Sequence, residues 1–174
     1  MHPKMPRLTD MPIRPINPTD WPAIMAIQAQ CYVELAPESL GVMQSKWRAS
    51  PTSCVVFEHQ GSVLAYTLVH PWPRGDAPSL ETEISDQSNA NCWYLHDMAI
   101  SPSAQGMGIG KQLFTYLVEQ AKTLTVNGIG LVAVQGAQTY WQQRGFKTDI
   151  TSVKLTESLN SYPDGACYLY LALS

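Results

Sequence analysis

The chain has 174 residues, a formal net charge of −3 and only 14% charged residues, where about a quarter is usual. That length suits one domain with a real core, and mild acidity without a Lys/Arg cluster excludes the electrostatic footprint of a nucleic-acid binder. No run approaches the ~18 apolar residues that span a bilayer, and Met1-His-Pro-Lys-Met-Pro-Arg7 has charge without an apolar stretch behind it, so neither a membrane span nor a signal peptide is expected.

Residues 1–11 read as a flexible tail and residues 12–174 as a single domain. Six of the thirteen prolines fall in the first 22 residues and none lies between Ser103 and Tyr162. Proline lacks the N–H that helices and ladders need, so regular structure should concentrate in the second half. Residues 11–16 suit a short edge strand. Thr19 or Asp20 then caps a helix with Pro22 in its first turn and Ile24, Ile27, Cys31 and Leu35 on one stripe. A second short helix carries Leu40, Met43 and Trp47. Residues 53–57 and 62–69 read as a β-hairpin turned at Glu58-His-Gln-Gly61, with the glycine supplying a positive φ. Residues 71–91 form a long polar loop, a length that tends to carry function.

Cys92-Trp-Tyr-Leu-His-Asp-Met-Ala-Ile100 reads as a strand buried on both faces. A Gly-rich turn and a helix with Ile109, Leu113, Leu117, Ala121 and Leu124 on one face follow it. Residues 128–134 make another buried strand, and residues 137–144 a short helix stopped by Gly145. Val153-Lys-Leu155 and residues 167–173 are read as final strands. The order predicts an α/β fold with a mixed α+β sheet flanked by helices. Cys31, Cys54, Cys92 and Cys167 stand far apart with no C-x-x-C, which reads as reduced thiols in a cytoplasmic protein with no metal site.

The chemistry concentrates in Gln105-Gly-Met-Gly-Ile-Gly-Lys111, between a buried strand and an amphipathic helix. Glycines let backbone approach a ligand closely, and a helix start offers unpaired N–H groups to an anion. The plain alternative is a tight turn packed with small residues. A loop of the form G-x-x-x-x-G-K-[ST] would need Gly at position 105 and Ser or Thr at 112, and both hold Gln. A dinucleotide fingerprint needs G-x-G-x-x-G where the spacing here is G-x-G-x-G. It also wants an acidic residue about 20 positions on, and the next strand ends in Val134-Gln135.

What fits is Q/R-x-x-G-x-G/A, matched at each fixed position by Gln105, Gly108 and Gly110. With Tyr-Leu-His-Asp-Met-Ala-Ile-Ser-Pro upstream and Ala137-x-x-Tyr-Trp-Gln-Gln-Arg-Gly-Phe146 downstream, the chain resembles the GNAT superfamily of acyl-CoA-dependent N-acetyltransferases. The match is specific over residues 93–146. The resemblance implies acetyl-CoA as co-substrate, its pyrophosphate held by the amides of Gln105, Gly106, Met107, Gly108, Ile109, Gly110 and Lys111. It further implies pantetheine along Met98, Ala99 and Ile100, with the Met98 N–H polarising the thioester carbonyl.

An alkylammonium has a pKa of about 10, so a base within reach is sought. His96 is the leading candidate, by resemblance to the second of two strand histidines in the serotonin N-acetyltransferase branch; Tyr94 stands where the first would be. Strand alternation sends Asp97 to the opposite face from His96 unless a bulge intervenes, and Asp97 is expected to anchor backbone or support the site from behind. The general acid of the family's Tyr slot is replaced by Trp141, which leaves Tyr140 or water to reprotonate the thiolate, and Val134 stands where many members carry Asn. Asp76, Glu81, Glu83, Asp86 and Asp97, with no Lys or Arg between Gly75 and Gly110, form either a solvated loop or a field that gathers cationic amines. Tyr32, Tyr94 and Trp141, with Trp72 and Trp93, supply candidate aromatic walls. The expected reaction is acetyl transfer from acetyl-CoA to a small cationic amine. A protein N-terminus or lysine is the rival acceptor, and a non-catalytic acyl-CoA-binding module the rival class. No nucleic-acid or membrane partner is expected, and the strand over residues 167–173 is able to pair across a homodimer.

Overall fold

The computed structural model describes residues 12–33, 35–85, 90–149 and 152–173; the expected tail and Asp86 lie outside them. In chain order come β1 (Ile13–Pro15), α1 (Trp21–Cys31), α2 (Leu40–Ala49), β2 (Val55–His59), β3 (Ser62–Pro71) and β4 (Trp93–Ile100). Then follow α3 (Ile109–Thr123), β5 (Gly128–Ala133), α4 (Gln138–Gln142), β6 (Lys147–Thr148), α5 (Val153–Leu159) and β7 (Cys167–Ala172). Pro22 sits in the first turn of α1, where its missing N–H costs no helical bond. The β2–β3 turn places both Gln60 (φ 50°) and Gly61 (φ 79°) in the left-handed region, the two-residue geometry whose twist matches the strands it joins.

The seven strands form one sheet in the order β1-β2-β3-β4-β5-β7-β6, antiparallel throughout except for the parallel β4–β5 pair. Alternation divides its two faces. Val56, Tyr66, Leu68 and Ala99 pack against Ile24 and Ile27 of α1 and Met43 of α2. Val55, Phe57 and Ala65 turn the other way, onto Ile109 and Leu113 of α3, and farther along Leu117 and Ala121 meet Leu95, Ile129 and Leu131. A methyl on Gly128 would stand 2.1 Å from the Tyr170 hydroxyl and one on Gly130 2.3 Å from that of Tyr168. The glycines in β5 therefore make room for the tyrosines of β7.

One sequence expectation changes. Val153-Lys-Leu155 is not a strand but the start of α5: Ser152 caps it by accepting from the Leu155 amide, and Leu155 is fully buried among Tyr94, Tyr168 and Tyr170. A cap and one anchored apolar residue suffice for a two-turn helix. β7 lies between β5 and β6, with Leu169 and Tyr170 paired on both sides.

Candidate active site

β4 and β5 share only two paired positions, Trp93 with Ile129 and Tyr94 with Gly130. Beyond them the strands part. On its other edge β4 carries a bulge: Leu68 faces Asp97 and Val69 faces Leu95, so His96 is the extra residue. A bulge bends its strand and breaks the alternation that would put neighbours on opposite faces. His96 and Asp97 therefore both join the wall of the gap, which simple strand alternation does not foresee. The gap is a cavity of about 320 Å³, with Met98, Ala99 and Ile100 on one side and Leu131, Val132 and Val134 on the other.

The glycine turn opens at the same place. Gln105 lines the cavity and donates from its side chain to the Ile100 carbonyl, which also receives the Cys31 thiol. Gly106 (φ 83°) and Gly108 (φ 74°) bend the chain so that Gly108 caps α3, and no atom lies within 4 Å of where their Cβ atoms would stand. The amides of Ile109, Gly110 and Lys111 begin the helix, where N–H groups have no acceptor one turn back. Met107 and Lys111 are exposed beside them. A Cβ on Gly110 would come 3.0 Å from the Tyr140 hydroxyl and 3.2 Å from Ile100, so Tyr140 reaches across to the helix start. Arg144 lies over the Tyr140 ring at 3.5 Å and holds its carbonyl. Trp141 also borders the cavity, with its ring packed edge-on against Phe146 and beside Phe114.

A smaller chamber of about 70 Å³ adjoins the first, bounded by Gln28, Leu35, Glu38, Leu80 and Tyr162. Tyr32, His96, Asp97, Val132 and Val134 border both spaces. His96 is almost wholly enclosed: its side chain is 2% exposed, Nε2 bonds to Glu38 Oε1 at 2.6 Å, and Nδ1 is buried with no partner. His96, the candidate base, thus borders the cavity with Nε2 held by Glu38. Tyr94, expected in the substrate wall, stands elsewhere. It is buried outside both chambers, its hydroxyl bonded to that of Tyr162, which in turn donates to the Pro78 carbonyl. Trp72 packs on His70, away from the gap.

Glu38 is the residue that sequence reading missed. The Gln28 side chain receives its amide and donates to its carbonyl, fixing the backbone. One carboxylate oxygen takes His96 and the other the amide of Glu81. Burial works to raise Glu38, but the His96 hydrogen bond and charge, Lys46 and the Glu81 amide outweigh it and hold the carboxyl at about 2. Lys46, fully buried, donates to the Thr82 carbonyl, and Ser39 donates its amide to Glu81, so residues 80–84 are tied over the small chamber. Asp97 differs. Burial pushes it up to about 6, against the lowering effect of hydroxyl donors Tyr32 and Tyr66 and of His96. No sequence signal joins Glu38 to His96 across 58 positions.

The model of a family described as "Acetyltransferase (GNAT) family" matches residues 21–146. An "Uncharacterized N-acetyltransferase ycf52" from Gracilaria tenuistipitata var. liui is 37% identical over 71 residues, which cover 40% of this chain and 37% of that protein. The chain thus spans well under two thirds of that relative. Among solved structures, Ard1 from Thermoplasma volcanium superposes with a TM-score of 0.70 at 17% identity, over 93% of this chain and 97% of that one. The "GphF GNAT-like decarboxylase in complex with isobutyryl-CoA" does so at 0.69 and 15% identity, over 93% and 99%. At those identities the likeness is one of fold.

Proposed function

Because this chain belongs to the GNAT acetyltransferase family, we propose that it moves an acetyl group from acetyl-CoA to the primary amine of a small cationic molecule, by direct attack on the thioester. The parting of β4 from β5 carries this reading. It opens a cavity of about 320 Å³ that Gln105, the first residue of the glycine turn, lines. The cradle fits a pyrophosphate: left-handed Gly106 and Gly108 leave open space where any Cβ would stand, and α3 adds its dipole. In this reading residues 105–111 hold the pyrophosphate, and the backbone of Met98 holds the carbonyl oxygen as charge develops on it. In the same reading Tyr140, whose hydroxyl lies near the start of α3, reprotonates the departing sulfur.

The second chamber supports a small cation over a peptide. It holds about 70 Å³, is roofed by Leu80 and Tyr162, and carries the ionised Glu38 carboxylate. An ammonium finds its counter-charge there, and His96 acts through Glu38 by keeping that carboxylate in place. The four thiols, none of them in a disulfide, suit a cytoplasmic setting.

The test is calorimetric titration with acetyl-CoA, followed by CoA release across a panel of small amines and N-terminal peptides. Saturable acetyl-CoA binding with turnover confined to small amines is expected. Turnover on peptides alone would move the acceptor to proteins, and binding without any turnover would make the chain an acyl-CoA-binding module.

A further inference from the structure

We propose that Asp97, reached through the hydroxyl of Tyr32, receives the proton the amine must shed before it attacks, an inference that rests on the acetyltransferase reading above. Tyr32 borders both chambers, so it stands where an amine in one meets a thioester in the other. Its hydroxyl donates to Asp97 Oδ1 and that of Tyr66 to Oδ2. Both phenols give their only proton to the carboxylate, which leaves the Tyr32 oxygen with lone pairs free to accept from an ammonium. Tyr66 is fully buried and borders neither chamber. The two tyrosines are therefore unequal: one connects Asp97 to the substrate and the other only holds it.

The competing bases are poorly suited. His96 has both ring nitrogens enclosed, one on Glu38 and one buried. Glu38 is held at about 2, whereas burial brings Asp97 to about 6. A base works best when its pKa lies near the working pH, so Asp97 is far better matched to the task than Glu38. The titratable groups facing Asp97 are Cys31 and Tyr32 at the end of α1, Glu38 before α2, Tyr66 on β3, His96 on β4 and Tyr162 after α5. Of these only His96 can carry positive charge.

In the relay, one ammonium proton passes to the Tyr32 oxygen while the Tyr32 hydroxyl proton passes to Asp97, so Tyr32 ends neutral. The freed nitrogen pair bonds to the thioester carbonyl carbon, the C–S bond breaks and its pair leaves on sulfur. The second N–H proton is lost as the adduct collapses and ends on that sulfur, giving amide and thiol. Asp97 then returns its proton to solvent along the same path.

The experiment measures kcat/KM against pH for the wild type, Asp97→Asn, Tyr32→Phe and Tyr66→Phe, together with acetyl-CoA affinity and a carbon-13 NMR titration of the Asp97 carboxyl in the free protein. Wild type should rise through an inflection near 6 and fall again near the amine's own pKa of about 10. Asp97→Asn should lose the acid limb and about 10²-fold or more in kcat, with acetyl-CoA affinity within about twofold. Tyr32→Phe should lose a similar factor while Asp97 still titrates. Tyr66→Phe, which removes one donor to the charged form, should move both the kinetic inflection and the NMR midpoint upward by about one pH unit. An Asp97→Asn enzyme with wild-type rate and profile overturns the relay and leaves the function standing. Should that variant fail to fold, Tyr66→Phe decides: an NMR midpoint that moves with no change in the kinetic inflection also overturns it. A wild type that binds acetyl-CoA but acetylates no amine overturns relay and function together.

Discussion

Glu38 makes four hydrogen bonds at once, two through its backbone to Gln28 and two through its carboxylate to His96 and the Glu81 amide. A residue so fixed presents charge at a defined point, which is what holding an ammonium requires. Glu38→Gln keeps the shape and removes the charge. We expect it to raise KM for a cationic amine about tenfold, the effect of losing a hydrogen bond to a charged group, with acetyl-CoA affinity unchanged. His96→Ala should reproduce part of that rise, because it frees the Glu38 carboxylate to turn. Steady-state kinetics on the preferred amine, beside calorimetry on acetyl-CoA, distinguish the two ligands. An equal loss for both would mean that these residues support the fold.

At the scale of elements, α3 and the turn before it form one device. Gly108 adopts φ 74° with open space around it, so a side chain there meets backbone strain rather than a clash within the protein. A branched residue tolerates that conformation worst, at a cost of about 1–2 kcal/mol. Gly108→Val is therefore expected to lower the melting temperature by several degrees and to cut acetyl-CoA affinity at least tenfold, since the added methyls occupy the cradle. A melting shift with affinity intact would reassign the glycine to the turn alone. The amphipathic stripe of α3 and the glycines before it stood out in the sequence because both are local signals. α5 did not, because Ser152 and Leu155 make a helix only once Tyr94, Tyr168 and Tyr170 supply the surface it covers.

Across the whole molecule, His70 and Asp97 act on stability in opposite directions. Burial, and then the charge of His96, hold His70 at about 3 against an ordinary 6.5. The unfolded chain takes up a proton below 6.5 that the native ring refuses, so stability falls as pH drops from 6.5 toward 3. Asp97, at about 6 against an ordinary 3.8, is protonated first in the native protein, so its contribution rises as pH drops from 6 toward 3.8. At about 1.4 kcal/mol for each tenfold difference in proton affinity between folded and unfolded chains, the loss at pH 4.5 is about 3 kcal/mol and the gain about 2. Urea midpoints of the wild type at pH 7 and pH 4.5 should thus differ little. Asp97→Asn should lose about 2 kcal/mol more over the same change. Below pH 4 the Glu38 contribution, present above its ordinary 4.5 and lost toward about 2, should bring acid unfolding in both proteins. Matching pH dependence in wild type and Asp97→Asn between pH 7 and 4.5 would show that Asp97 titrates normally.

The sequence by itself determined what neighbours along the chain decide. The Gly106 and Gly108 turn, the α3 stripe, the Pro22 helix start and a hairpin turned within Glu58–Gly61 follow from spacing and φ preferences, and residues 93–146 carried the family. Only the tertiary structure decided the rest of the site. The bulge that brings His96 beside Asp97 depends on how β4 pairs with β3, and strand periodicity alone sends the two apart. Glu38, Tyr32 and Tyr66 reach the β4 wall from 58, 65 and 31 positions away. Separations of that size leave no periodic trace, because a contact made by folding back is fixed by packing and burial rather than by the order of residues.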